Sequence, residues 1–355
     1  GAKGMLLLYQ SLCKFFLKLP GAVWVTGQPK LQRLVFYYVV LAGILAWLWY
    51  EKKPQRKSEA ESNNRVRNLR FNRIALTLFY LGLLICSMQK EEKRFQIQVL
   101  DVGQGDGIYI ESDAGTEIFV DGGSVDVSEV GKYRIRPFLK SHGVREVDYW
   151  FVSHCDADHC NGLMELLETD YPIKHLVFSK YVLKDEAQEE LAALAKQKGC
   201  QVLYMEEGEC FRDTSIRIQA IYPSEKSVEG ERNADSLVLL LEHGNFHGLL
   251  SGDIGSEQEK KLIETYGEVC DSRNIDWYKA AHHGSKTSNS KELLDALQPK
   301  IATISCGQDN SYGHPGKEAV EHMQDAGAEI FQTTECGQIG ITEEDGKIII
   351  FKRLA

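Results

Sequence analysis

An apolar run, Val147-Asp148-Tyr149-Trp150-Phe151-Val152-Ser153, leads directly into His154-Cys155-Asp156-Ala157-Asp158-His159-Cys160-Asn161-Gly162. The run reads as a buried strand, and its end carries four ligand-type side chains within six residues. Imidazoles and carboxylates crowded together repel or desolvate one another unless a cation holds them. Along an extended segment His154, Asp156 and Asp158 would share one side, with His159 turned towards a neighbouring position, an arrangement that can serve two metal ions. Any fold of this chain therefore has to end a core strand at a metal-binding loop.

The surroundings of that loop are strand-rich from Phe95 onwards. FQIQVLDV (95–102), DGIYIES (106–112), TEIFVD (116–121), HLVFS (175–179), QVLYM (201–205), IRIQAIY (216–222), SLVLLLEH (236–243), HGLLSGDIG (247–255), WYKAAHHGS (277–285), IATISC (301–306) and KIIIF (347–351) read as strands, several running into Gly-rich turns. Helical patterns at 163–168, 186–197, 257–265, 290–297 and 316–326 fall between them. Such alternation predicts an α/β domain over 95–355, with two sheets packed together and covered by helices on both faces. The Gly-rich LDVGQGDG (100–107) lacks GxxxxGK[ST] and enters a strand, which argues against a nucleotide cradle. Asp106 and Asp121 are expected to support the metal loops through hydrogen bonds.

Residues 1–94 differ in kind. They carry 16 Lys and Arg against 5 Asp and Glu, a net of +11, whereas the remainder carries 25 against 46, a net of −21. That split places the two regions in different surroundings. Leu34–Tyr50 is seventeen residues without a charge, and Ile74–Met88 is a second apolar run of fifteen. We expect membrane spans over 31–50 and 71–88, joined by a basic loop over 51–73 that stays cytoplasmic, so that everything after Met88 lies outside the cytoplasmic membrane. The upstream MLLLYQSLCKFFLKL (5–19) reads as an amphipathic interfacial helix or the tail of a preceding membrane segment. The opening Gly1-Ala2-Lys3-Gly4 reads as the interior of a longer membrane protein, with Met5 the alternative start. Nine cysteines include no CxxC pair, and Cys200 with Cys210 is the one disulfide considered.

HxDxDHxxG is a variant of the HxHxDH motif of the metallo-β-lactamase superfamily. The chain also holds LDVGQGD (100–106), FVDGG (119–123), SLVLLLEH (236–243), LLSGDIG (249–255), KAAHHGSKTS (279–288) and YGHP (312–315), in that order. Together they resemble the extracellular domain of the ComEC family of DNA-uptake channels over the whole of 95–355. Residues 1–94, including LPGA (19–22), resemble the last membrane helices of that channel. The resemblance implies an αββα sandwich preceded by transmembrane helices. Carried over by position, His154 and Asp156 would ligate one metal, Asp158, His159 and His282 a second, and Asp253 would bridge them. His283 would stand behind its neighbour as a supporting group.

One departure is plain. The superfamily's third motif places a His before the strand that here begins at Ser236, where this chain has Glu231, Arg232, Asn233, Ala234 and Asp235. Asn233 or Asp235 is the substitute, or the first site is open. Asp at 156 enriches the cluster in oxygen and shifts preference from zinc towards manganese or magnesium.

The expected reaction is hydrolysis of a DNA phosphodiester with two divalent ions, Mn²⁺ or Zn²⁺, with Mg²⁺ a third candidate. Asp158 would orient the attacking water, Lys286 would neutralise charge, and His314 would protonate the leaving oxygen. The implied partners are DNA, the membrane, the remainder of the channel protein and other competence proteins. The net of −21 and the lack of a basic stripe keep three rivals open. These are a hydrolase of a small ester or lactam, a non-catalytic DNA-guiding module, and a structural cap on a channel.

Overall fold

Among the described residues, fifteen strands fall between Gln96 and Arg353. In the computed structural model, the described residues are 2–17, 25–51, 74–80, 82–83, 93–273, 275–344 and 346–353. They divide into two compact units, 1–92 with 140–144, and 93–139 with 145–355.

In the larger unit the strands are β1 (Gln96–Val99), β2 (Gly107–Glu111), β3 (Glu117–Asp121), β4 (Val147–Phe151), β5 (Ile173–Ser179), β6 (Gln201–Met205), β7 (Cys210–Arg212) and β8 (Ile216–Tyr222). They continue as β9 (Val238–His243), β10 (Phe246–Leu250), β11 (Trp277–Lys279), β12 (Ile301–Ile304), β13 (Glu329–Gln332), β14 (Gln338–Glu344) and β15 (Lys347–Arg353). One sheet has the order β15-β14-β1-β2-β3-β4-β5-β6, and the other β13-β12-β11-β10-β9-β8-β7. Pairing is parallel from β3 to β6 and from β10 to β13, and antiparallel elsewhere.

Two-residue periodicity decides which side chains meet. Ile97, Val99, Ile108, Ile110, Ile118 and Val120 from the first sheet pack against Ile216, Ile218, Leu239 and Leu241 from the second. The alternate residues of β9 to β12, such as Leu240, Leu249, Tyr278 and Ala302, face a separate core with Leu262, Leu293, Leu294 and Met323 from the helices Ser256–Arg273, Lys291–Leu297 and Lys317–Asp325. On the first sheet the helices Ala157–Glu168 and Glu186–Gln197 supply Leu163, Leu166 and Leu191, all fully buried. The layers are therefore helix, sheet, sheet, helix, as expected.

Some elements differ from expectation. The helix after the His/Asp cluster begins at Ala157, not at Leu163, with Asp156 at its N-cap. Asp158 and His159 therefore sit on a first helical turn, where an extended segment was expected, and the helix supplies the geometry that brings His159 inward. β7, β13 and β14 have no counterpart among the expected strands. Cys200 and Cys210 are both free thiols.

In the smaller unit Ala2–Leu17 and Leu31–Glu51 are helices, and residues 74–80 and 82–83 are helical. No helix among the described residues is long and apolar enough to cross a membrane. The helix Leu31–Glu51 has the length of the expected span over 31–50. The expected span over 71–88 and the basic loop over 51–73 lie largely outside the described residues. Met5, Leu6, Leu7, Leu8, Leu12, Phe15 and Phe16 are all exposed on the first helix, so its apolar surface is not confined to one face.

Candidate metal centre

Parallel strands put their carboxyl ends at one edge, and each sheet delivers loops there. β3 ends at Asp121 and β4 runs into Ser153-His154, while β10 runs into Ser251-Gly252-Asp253 and β11 into Ala281–Ser285. The turn between β1 and β2 adds Gln104 and Asp106. Each loop is short, and a chain of backbone bonds locks them together. Asp106 N donates to Asp158 O (3.0 Å), Gly123 N to Asp106 O (3.0 Å), Leu237 N to Ser153 O (2.9 Å) and His282 N to Gly252 O (3.0 Å).

At the centre, ligand atoms of Asp106, His159, Asp253 and His283 lie within 4.8 Å of one another, and all four residues are buried. The hydrogen bonds around them set the imidazole tautomers. His159 Nδ1 donates to Asp121 Oδ2 at 3.0 Å, and His283 Nδ1 donates to the Ser305 carbonyl at 3.0 Å. Ser153 Oγ donates to Asp121 Oδ2 and so accepts from His154 Nδ1 at 3.0 Å. Each of these rings thus turns its Nε2 to the interior.

Those atoms provide a test of whether a cation fits. His154 Nε2, His159 Nε2, His283 Nε2, Asp106 Oδ1 and Asp253 Oδ1 are buried without a hydrogen-bond partner. Leaving one buried polar atom unsatisfied costs about 1–3 kcal/mol, so one such atom on each of the four clustered residues Asp106, His159, Asp253 and His283 is hard to sustain without a ligand. Two imidazole nitrogens and two carboxylate oxygens suit a divalent ion of the first transition row or zinc. The residues fit a metal.

Burial works against charge on His159 and His283, yet both stand above the ordinary imidazole pKa, His159 because of Asp253 and Asp121, His283 because of Asp253 and Asp106. An ion entering must displace the protons at their Nε2 atoms. Affinity for Mn²⁺ is therefore expected to rise with pH, by about tenfold per unit for each proton released. Calorimetric titration at pH 6, 7 and 8 checks this, and a flat profile contradicts it.

Of the other residues singled out by sequence, Asp158 Oδ2 stands 3.5 Å from His283 Nε2, and His282 Nε2 stands 3.8 Å from Asp253 Oδ2. His154 Nε2 is 3.6 Å from Asp156 Oδ2. Asp156 itself is engaged elsewhere, since Arg232 Nη1 donates to its Oδ1 at 2.5 Å. The neighbouring His154 and then the hydrogen bond from Arg232 hold the Asp156 carboxyl below the usual range. Asp235 accepts from the backbone of Glu229 (2.8 Å) and Gly230 (2.7 Å), so it holds its own loop. Asn233 lines a cleft of about 490 Å³ together with Asp253, His282, Glu229, Glu231 and Glu257. Lys286 is exposed.

His314 lies edge-on to His282 and tilted to His283, its ring centroid 5.5 Å and 6.0 Å from theirs. Gly307 N donates to Gln104 Oε1, which leaves Gln104 Nε2 to donate to His314 Nδ1 at 3.3 Å and the ring proton on Nε2. Burial and the neighbouring His283 and His282 push its pKa down to about 4. At neutral pH it is therefore a neutral N–H donor, not an imidazolium.

Asp106 and His283 in the central cluster were not singled out as ligands by sequence. His282 and His283 occupy consecutive left-handed positions, φ 49° and 53°, a conformation that non-glycine residues hold only under constraint. Asn289 supplies that constraint. Its Oδ1 accepts from Ala281 N (3.0 Å), its Nδ2 donates to Ala281 O (3.0 Å) and Ser285 O (3.3 Å), and Glu259 accepts from its backbone N–H (2.6 Å). On the other side, Asp121 accepts from Ser153 N, Ser153 Oγ and His159 Nδ1 at 2.7, 2.9 and 3.0 Å. Asp121→Ala frees the His159 ring, and metal affinity is expected to fall about 10–100-fold in an equilibrium titration. An unchanged dissociation constant contradicts the role given to Asp121.

Comparison with known proteins adds relatives to this geometry. The sequence model of the metallo-beta-lactamase superfamily matches residues 100–308. The ComE operon protein 3 of Bacillus subtilis (strain 168) is 27% identical over 75% of this chain and 35% of its own length. The competence protein ComA of Neisseria gonorrhoeae is 26% identical over 70% of this chain and 32% of its own. The chain thus spans about a third of the length of these curated relatives. Among solved structures, the metallo-beta-lactamase fold protein YhfI from Bacillus subtilis is 9% identical with a TM-score of 0.46, over 66% of this chain and 96% of that one.

Proposed function

The chain belongs to the metallo-beta-lactamase superfamily, and from that premise we propose that its larger unit is a divalent-metal hydrolase that cleaves phosphodiesters of DNA during uptake. The observation that carries the hydrolase reading is the convergence of four buried residues, each with an unpartnered ligand atom, at one strand edge. Similarity to proteins of competence supports DNA as the substrate.

Asp106, His159, Asp253 and His283 would hold the metal. When bound, it supplies Lewis acidity to a substrate oxygen and makes water a stronger acid at neutral pH. The chain's own groups do the rest. Asp158 Oδ2, on the first helical turn, accepts a proton from the attacking water. His314 Nε2–H gives the leaving oxygen a hydrogen bond as a neutral imidazole while that oxygen takes its proton from solvent, and Lys286 meets a non-bridging phosphate oxygen from the surface. The smaller unit, with exposed apolar side chains on both long helices, supports a seat in the membrane beside the rest of a channel and other competence proteins. In that placement the hydrolase unit lies outside the cytoplasmic membrane.

One observation favours a second reading. Glu229, Glu231 and Glu257 line the cleft beside Asp253 and His282, and that field opposes a polyanion. A small neutral ester or lactam enters it more readily. The two readings separate in one assay. With Mn²⁺ the protein is expected to nick DNA, and Asp158→Ala to lower that rate by about 100-fold or more. DNA left intact under Mn²⁺, Zn²⁺ and Mg²⁺ alike, beside turnover of an ester reporter, would move the assignment to the small substrate.

A further inference from the structure

The expected second cation meets an obstacle at Asp156. Its Oδ1 lies 2.5 Å from Arg232 Nη1, and the same guanidinium also binds the carboxylate of Asp185. Asp185 is in turn fixed as the N-cap of Glu186–Gln197, accepting from Gln188 N at 3.1 Å. Arg232 is thus clamped between two carboxylates and cannot swing away without leaving both short of a partner. Its positive charge already answers the negative charge of Asp156, and a divalent ion on the other oxygen of that carboxylate would lie within a few ångströms of it. The neighbouring donors do not make up the loss. Asp235 is spent on two backbone N–H groups, and His154 Nε2, 3.6 Å from Asp156 Oδ2, is left as a lone imidazole. Neither His154 nor Asp156 belongs to the group whose ligand atoms converge within 4.8 Å.

We propose that Arg232 replaces the second cation, so that this centre takes one divalent ion per chain, at Asp106, His159, Asp253 and His283. The inference rests on the metal-hydrolase reading and narrows it. A guanidinium in that place is a permanent charge, held at any metal concentration. It also presents N–H donors of the geometry that phosphate and carboxylate oxygens accept. The site then pairs one exchangeable ion with one built-in cation.

The test counts ions. The full chain is stripped with chelator and titrated with Mn²⁺, and the bound metal is measured by calorimetry and elemental analysis. Wild type is expected to bind one equivalent, Arg232→Lys one, and Arg232→Ala two, because Asp156 is released. Asp156→Asn removes no ligand of the single ion, so its dissociation constant is expected to stay within about threefold of wild type, short of the 10–100-fold that even a supporting partner costs. Two equivalents in wild type, one in Arg232→Ala, or loss of the ion in Asp156→Asn overturns the proposal. No metal bound by wild type overturns instead the metal reading beneath it.

Discussion

Asp253→Asn is expected to abolish the stabilisation that divalent metal gives this protein. Asp253 is 2% exposed, and its Oδ2 stands 3.3 Å from His159 Nε2 and 3.6 Å from His283 Nε2. Despite its burial, the imidazoles of His159 and His283 hold its carboxyl well below the usual range. It is the carboxylate that both imidazoles of the cluster face. At Mn²⁺ one hundred times above the dissociation constant, binding adds about 2.7 kcal/mol to wild type. For a unit of this size that raises the melting temperature by about 5–10 °C. The variant should show no such shift, and hydrolysis should fall by more than about 100-fold. Melting curves with and without Mn²⁺ decide it, and equal shifts in both proteins refute the assignment of Asp253 as a ligand.

Gly123→Ala is expected to unfold the metal loop. A Cβ at Gly123 would collide with the backbone of Ala157, Asp158 and His159 at the start of the helix that carries the ligands. No flexible side chain is there to give way, so either β3 or the helix must move. Overpacking against backbone is expected to cost about 3 kcal/mol or more, a large part of the 5–15 kcal/mol that holds a typical domain. Gly199 gives the contrast. Unlike Gly123 it has a positive φ, 81°, but a Cβ there meets nothing within 4 Å. Gly199→Ala should cost only about 1 kcal/mol, the price of the left-handed backbone alone. Denaturant midpoints of the two variants make the comparison, and equal losses would contradict the packing argument.

The contrast shows what the chain discloses on reading and what it withholds. Alternating Ile and Val residues in β1 to β3, and apolar runs in β8 to β10, reveal both sheets because period two is a local property. β13 and β14 are harder. EIFQ is only four residues long, and Gly340 interrupts the alternation of QIGITEE. The crowding of His154, Asp156, Asp158 and His159 shows that a loop is built for a cation. It does not show which side chains converge, because that depends on the helix that starts at Ala157 and on loops from four other strands. Asp156 as an N-cap residue was the available signal for that helix start. His282 and His283 are equivalent on paper, and only the two left-handed residues, held by Asn289, turn His283 inward. Asp106 lies 177 residues before His283 in the chain, and Arg232 lies 76 beyond Asp156, so neither relation has a local signature. Arg232 stood in the segment where a His was missed, which marked the place without disclosing its role.

The claim beneath all of this concerns where an ion sits. The most direct measurement is an anomalous difference map from crystals of the protein grown with Zn²⁺. The account predicts a peak about 2.0–2.2 Å from His159 Nε2, His283 Nε2 and oxygens of Asp106 and Asp253. A strong peak bound by His154, Asp156 and His282, with those four side chains empty-handed, would contradict it.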